Sequence, residues 1–252
     1  MLGVYDYTVI LTYISVLSAS TGIFVTLTDP GHPYVGMVFL LFCGLCDTFD
    51  GKVARTKKNR TKLQKDFGVQ IDSLSDLVAF GVLPVCLGMA LYNRSNKGFE
   101  KKIFDFVKDP FIGKIPIWVV YIICVLFVLA ALIRLAYFNV TCEETQNEGL
   151  DRKKYYFGLP VTSAALIFPT FLIVRYTIAD IWGYDISHLY FVLLVIVGIL
   201  FIARFKITKP SNFWIYIMVG FGVIEFIVLL FFTSLQKEVF SFIHAVQRFF
   251  TG

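Results

Sequence analysis

Four aspartates carry the chemistry open to this sequence. Asp47 and Asp50 sit three residues apart in "CDTFDGKVAR" (Cys46–Arg55), and Asp72 and Asp76 sit four apart in "GVQIDSLSD" (Gly68–Asp76). Either spacing puts a pair on one helix face. Apolar residues surround both pairs, and ionisable groups in membrane-length segments default to function. Asp50 is five residues from Arg55 and Asp47 eight, while Asp72 is four from Gly68 and Asp76 eight. With a rise of about 1.5 Å per residue, two antiparallel helices bring Asp50 level with Asp72 and Asp47 level with Asp76. Four bare carboxylates in one pocket repel. Divalent cations remove that repulsion, and all-oxygen ligation suits hard ions such as Mg²⁺, Mn²⁺ or Ca²⁺. Two such ions could clamp a pyrophosphate and stabilise charge on its leaving oxygen. Gly51, Ala54, Gly68 and Ser75 are small enough to let backbones and a ligand come close, and Arg55 can pair with phosphate oxygens. Water-facing acids at helix ends would account for one such aspartate, but not for four at matched depth.

The elements that must position these residues are membrane spans. Of the 252 residues 57% are apolar, 16% are charged and Phe occurs 27 times. That balance excludes an ordinary soluble domain and predicts an all-α, polytopic helix bundle forming one domain over 1–252. A bilayer core of about 30 Å needs roughly 20 apolar residues per helix. Seven spans are expected: Tyr7–Leu27, Tyr34 onward through the Asp motif, Val69–Tyr92, Ile117–Phe138, Leu159–Ala179, His188–Ala203 and Phe213–Thr233. Asn93–Lys114 reads as a basic loop, Val140–Tyr156 as a charged loop, and Val239–Phe250 as a surface-lying segment. Met1–Tyr7 carries no positive charge, so the first apolar run reads as a span and not as a cleaved signal. Cys43, Cys46, Cys86 and Cys124 fall in apolar runs and read as core thiols, the Cys43–Cys46 spacing included. His32, His188 and His244 lie away from the Asp motif and receive no role.

Lys and Arg set the orientation. The loop Lys52–Lys65 holds seven of them, and with Arg152–Lys154, Arg204, Lys206 and Lys209 one side collects thirteen. This predicts a multi-pass cell-membrane protein with its acidic pocket facing the cytoplasm. Six basic residues in Arg94–Lys114 fall on the other side, against the rule. The net charge of +5 suits anionic lipid and is too dispersed for nucleic acid.

The pattern Asp47-x2-Asp50-Gly51-x2-Ala54-Arg55…Gly68-x3-Asp72-x3-Asp76 resembles the signature of the CDP-alcohol phosphotransferase family. Twelve residues separate Arg55 from Gly68, more than the family pattern has. Within the family, "FGVQIDSLSDLVAFGVLP" (Phe67–Pro84), "IRLAYFNV" (Ile133–Val140) and "FGLPVTSAAL" (Phe157–Leu166) are similar to blocks of the membrane-embedded phosphatidylserine synthases of bacteria. Tyr137 stands where that second block usually has another basic residue. The resemblance implies transfer of a phosphatidyl group from CDP-diacylglycerol to L-serine with release of CMP, by a homodimer. It implies Asp47, Asp50, Asp72 and Asp76 as ligands of two Mg²⁺ or Mn²⁺ ions, with Asp76 as general base. Gly51, Ala54, Arg55 and Gly68 would hold the donor. Arg134 would bind the serine carboxylate or the donor phosphate, and Asn139 would offer a neutral hydrogen bond. Two alternatives stay open. One is another acceptor, glycerol 3-phosphate or an inositol phosphate. The other is a divalent-cation transporter, which the apolar outer halves of the helices disfavour.

Overall fold

A capping box starts the helix that carries the second aspartate pair. The Thr61 hydroxyl accepts from the Gln64 N–H, and the Gln64 side chain accepts from the Thr61 N–H. Two otherwise orphaned donors are satisfied at once, so the helix begins at Lys62, seven residues ahead of the expected Val69. In the computed structural model, which describes residues 3–28, 32–96, 115–147, 155–208 and 212–231, the helices are α1 (Ile10–Leu27), α2 (Pro33–Thr56), α3 (Lys62–Asp76), α4 (Leu83–Asn96), α5 (Ile117–Asn147), α6 (Ala164–Trp182), α7 (His188–Ile202) and α8 (Asn212–Phe231). Five continuous helices are long and apolar enough to cross a membrane: α1, α2, the run Lys62–Arg94, α5 and the run Val161–Trp182. Apolar segments at His188–Ile202 and Tyr216–Leu229 are shorter. The expected surface segment Val239–Phe250, and most of the basic loop after Asn96, lie outside the described residues.

α2 runs unbroken through the Asp motif, as its length requires. Between α3 and α4 the helix widens into a π turn over Leu77–Val82, where the Leu83 N–H reaches the Val78 carbonyl. Pro84 explains the widening. Its ring has no N–H and crowds the carbonyl four residues back, and a wider turn makes room. Phe80 within the turn, and Leu83 and Leu87 after it, are fully buried.

Two expectations need correction. The region from Val140 is not loop at first, because α5 continues to Asn147. Helix and loop also give way to a short antiparallel ribbon, β1 (Tyr155–Phe157) with β2 (Lys206–Thr208), paired Tyr155 to Thr208. The ribbon ties the start of α6 to the end of α7, reinforced by Gly158 N–H to the Phe205 carbonyl (2.8 Å) and Leu159 N–H to the Leu200 carbonyl (3.0 Å). Gly158 takes φ +73°, and a Cβ there would meet the Ala203 carbonyl oxygen at 3.0 Å, so a glycine is required.

α1 packs along α2, α4 and α3, α2 also meets α6 and α8, and α5 lies along α7 and the π turn. Small residues set the closest approaches. A Cβ on Gly44 would meet the Ala165 Cβ at 2.5 Å, and one on Gly88 would meet the Tyr190 ring at 2.9 Å. The core is aromatic: Tyr190 packs on Phe168, Phe171 and Phe191, and Phe127 on Phe168 and Phe201. Cys43, Cys46, Cys86 and Cys124 are buried free thiols within it, as expected.

A candidate metal and phosphate site in the α2–α3 cleft

α2 and α3 leave the turn 57–61 on either side, both packed on α1, and their acidic side chains converge. One carboxylate oxygen each from Asp47, Asp50 and Asp72 lie within 4.8 Å of one another. The Asp50 and Asp72 carboxyls interact directly, which matches the level pairing expected from residue counting. Asp76, one turn further along α3, is buried and lies in the field of Asp47, Asp72 and Asp50, but it is not part of that triad. Among the described residues, no Lys or Arg forms an ion pair with any of the four. A converging set of hard oxygen donors without an internal counter-ion fits a divalent cation, with Asp47, Asp50 and Asp72 as the residues to hold it.

The α3 wall of the cleft is braced from two sides. Ser75 donates to the Thr12 carbonyl of α1 (3.4 Å), and Asn139 of α5 donates from Nδ2 to the Ser73 hydroxyl (2.8 Å). Asn139 thus touches the helix turn between Asp72 and Asp76. Arg134 is 6% exposed and points inward; its Nε donates to the Leu159 carbonyl (3.0 Å) and its guanidinium lies 5.6 Å from the Phe138 ring centre. The ribbon that sets Leu159 therefore also sets Arg134. This buried placement excludes a side chain snorkelling out to lipid headgroups.

The remaining expected donor residues line the mouth of the cleft. Gly51 and Ala54 are half-buried, and Arg55 is exposed. Its guanidinium nitrogens lie 3.8 and 3.9 Å from where a Gly51 Cβ would stand. Lys52 turns aside over the rings of Phe49 and Tyr216. At Gly68 the close approach is made by Arg60, whose Nη2 would lie 2.7 Å from a Cβ there. Sequence reasoning counted Arg60 only among the seven loop cations and gave it no part in the site. Its signal was position alone, in the stretch that exceeds the family spacing.

A strap also passed unnoticed. Asp6 accepts from the Thr8 N–H (2.8 Å) and the Thr8 hydroxyl, and it pairs with Lys57 in the turn (2.8 Å). The hydrogen bond from Lys57, then those from Thr8, hold the Asp6 carboxyl below its ordinary value of 3.8. Tyr13 donates to the Val4 carbonyl (2.8 Å). Residues 4–8 are thereby tied to both α1 and the α2–α3 turn.

The chain is also similar in sequence to known proteins. The family model for CDP-alcohol phosphatidyltransferase matches residues 8–199. A CDP-diacylglycerol–serine O-phosphatidyltransferase of Saccharomyces cerevisiae is 34% identical over 165 residues, 62% of this chain and 50% of that protein. One of Methanocaldococcus jannaschii is 29% identical over 221 residues, 86% of this chain and 83% of the relative. An archaetidylserine synthase of Methanothermobacter thermautotrophicus is 29% identical over 164 residues, 65% and 57% of the two chains. The chain thus spans about half the length of the yeast relative and most of that from Methanocaldococcus.

Proposed function

The chain belongs to the CDP-alcohol phosphatidyltransferase family, and from that premise we propose that it transfers a phosphatidyl group from CDP-diacylglycerol to L-serine, releasing CMP. The observation that carries this is the convergence of Asp47, Asp50 and Asp72, with which no Lys or Arg among the described residues forms an ion pair. The choice of serine leans on the relatives, which are all named for it. The whole of 1–252 acts as one membrane domain of the cell membrane, with this cleft at the cytoplasmic face.

Asp47, Asp50 and Asp72, with Asp76 as a fourth ligand, would hold two Mg²⁺ or Mn²⁺ ions. Bound there, the ions neutralise the carboxylates and stabilise charge on the donor's diphosphate. The chain's own residues do the rest. Gly51, Ala54 and Gly68 leave the cleft mouth open to the nucleotide, and Arg55 pairs with its phosphate. Asp76 accepts the proton of the serine hydroxyl as the serine oxygen bonds to the diacylglycerol-bearing phosphorus. The phosphorus–oxygen bond to CMP breaks, and CMP leaves with the electron pair. Arg134, aligned by Leu159, meets the serine carboxylate, and Asn139 steadies the α3 turn that bears the base. The protein acts as a homodimer.

The test is CMP release by the purified protein with CDP-diacylglycerol, Mn²⁺ or Mg²⁺ and a panel of alcohols. Release with L-serine alone is expected. Release with glycerol 3-phosphate or an inositol phosphate in its place overturns the acceptor. Absence of release with every acceptor, together with metal uptake into vesicles, replaces the enzyme with a transporter.

A further inference from the structure

Arg60 lies in the turn between the two acidic helices and is half-buried there. Its Nη2 donates to the Gln64 carbonyl (3.1 Å), and its Nη1 to the Ala54 carbonyl at 3.5 Å. The second bond sits at the long limit of a hydrogen bond. Its Nε is buried and has no hydrogen-bond partner among the described residues, nor does any carboxylate among them pair with the guanidinium. A guanidinium carries five donors in a planar fork and normally fills them on carboxylate or phosphate. This one rests on two backbone oxygens, one of them weakly.

Its location is specific. Ala54 is one helical turn from Asp50, and Gly68 one turn from Asp72. Arg60 spans these two positions, so it crosses the mouth of the cleft one turn above the carboxylate triad. At Gly68 it fills the space that a side chain would need. A diphosphate seated on the triad directs its nucleotide half towards that mouth, because the opposite direction leads into the buried core.

We propose that Arg60 binds the CMP half of the donor, exchanging its backbone carbonyls for the nucleotide-side phosphate oxygens. This rests on the transfer reaction proposed above. The carbonyls of Ala54 and Gln64 park the cation when the donor is absent. The fork then supplies two charge-assisted bonds to the phosphate that departs with CMP. A staple role, in which Arg60 merely closes the α2–α3 turn, makes a different set of predictions.

The test uses the full-length protein in detergent with Mn²⁺, as wild type, R60A and R60K. Three quantities are measured: CDP affinity by calorimetry, KM values for CDP-diacylglycerol and L-serine, and the melting temperature. For R60A, CDP affinity falls and donor KM rises by about tenfold or more, the range of charge-assisted hydrogen bonds. Serine KM and melting temperature hold steady. R60K recovers only part of the loss, since an ammonium lacks the fork. If R60A binds CDP and uses the donor like wild type, Arg60 is not a donor ligand and the transfer reaction stands. If R60A instead melts lower with both KM values moving together, it is a staple and the assignment fails. If the wild type neither binds CDP nor releases CMP with any acceptor, the proposed reaction fails and takes this assignment with it.

Discussion

At the end of the bundle remote from the acidic cleft, Arg175 of α6 is clamped from several sides. Its Nε and Nη2 donate to the two oxygens of Asp185 at 2.7 and 2.8 Å, Nε also reaches the Ser187 hydroxyl, and Nη1 donates to the Tyr34 hydroxyl. Arg175 is 2% exposed and Asp185 0%. Each charge meets its complement, and the Ser187 N–H and hydroxyl cover Asp185 further. At the cleft, three carboxylates face one another, and no Lys or Arg among the described residues pairs with them. The first cluster is closed: it pins the N-terminal turn of α2, through Tyr34, to the α6–α7 hairpin. The second is open among the described residues, and a bound cation would balance its charge. A closed cluster stabilises a fold, whereas an open one stores repulsion that a ligand relieves.

Neutralising one member should act oppositely at the two ends. Asp72→Asn removes a ligand from the open cluster, and CMP release should fall on the order of a thousandfold, the scale of several kcal/mol of lost charge stabilisation. Its melting temperature without added metal should hold or rise, because a repelling charge is gone. A melting temperature that drops sharply would show that the carboxylates support the fold, and the contrast would collapse.

Asp185→Asn is the counterpart. It leaves the Arg175 charge buried without its carboxylate, which costs about 3–5 kcal/mol in comparable pairs. Melting in detergent should reveal that loss, while kcat of the folded fraction stays at the wild-type value. Replacing both partners, Arg175→Met with Asp185→Leu, should recover most of the stability. A double variant no better than Asp185→Asn would mean that Tyr34 and Ser187 depend on the charges themselves.

The open cluster was legible in the sequence because its information is local. Two short spacings and an antiparallel turn determine which carboxylates meet, and Asp50 does meet Asp72. The start of α3 was equally local: Thr61 and Gln64 spell a capping box, and hydropathy alone hid it. Pro84 marked the π turn in the same way. The closed cluster needed tertiary knowledge, since Arg175 finds Tyr34 across 141 positions. Even so, an arginine within "LIVRYT" was itself a flag for a buried partner. Glu225 of α8 is a similar case. It is 3% exposed and bonded to the Thr170 hydroxyl of α6, a pairing that no spacing announces. The ribbon of β1 and β2 was illegible for the same reason, being three residues on each side joined across two helices. The orientation rule misled at Arg94, which was grouped with loop cations although it lies buried at the end of α4.

The smallest effect expected concerns His32, which borders the closed cluster at the start of α2 and is 1% exposed. Burial, and then the nearby Arg94 charge, push its imidazole down from 6.5 to about 4. The folded state therefore keeps His32 neutral where the unfolded chain already binds a proton. Above 6.5 neither state is protonated and folding carries no penalty. As pH falls from 6.5 towards 4, the unfolded state alone gains the proton and stability declines. Asp6 works in a lower window: its depressed carboxyl stabilises the strap above 3.8 and is lost only below that value. Melting between pH 7.5 and 5 thus separates the histidine from Asp6, and the His32→Gln comparison separates it from the other acids. Wild type should lose stability over that interval, and His32→Gln should lose less. An unchanged slope in the variant would shift the acid sensitivity to another group. The closed end would then be as tolerant of protons as its self-neutralised charges alone would make it.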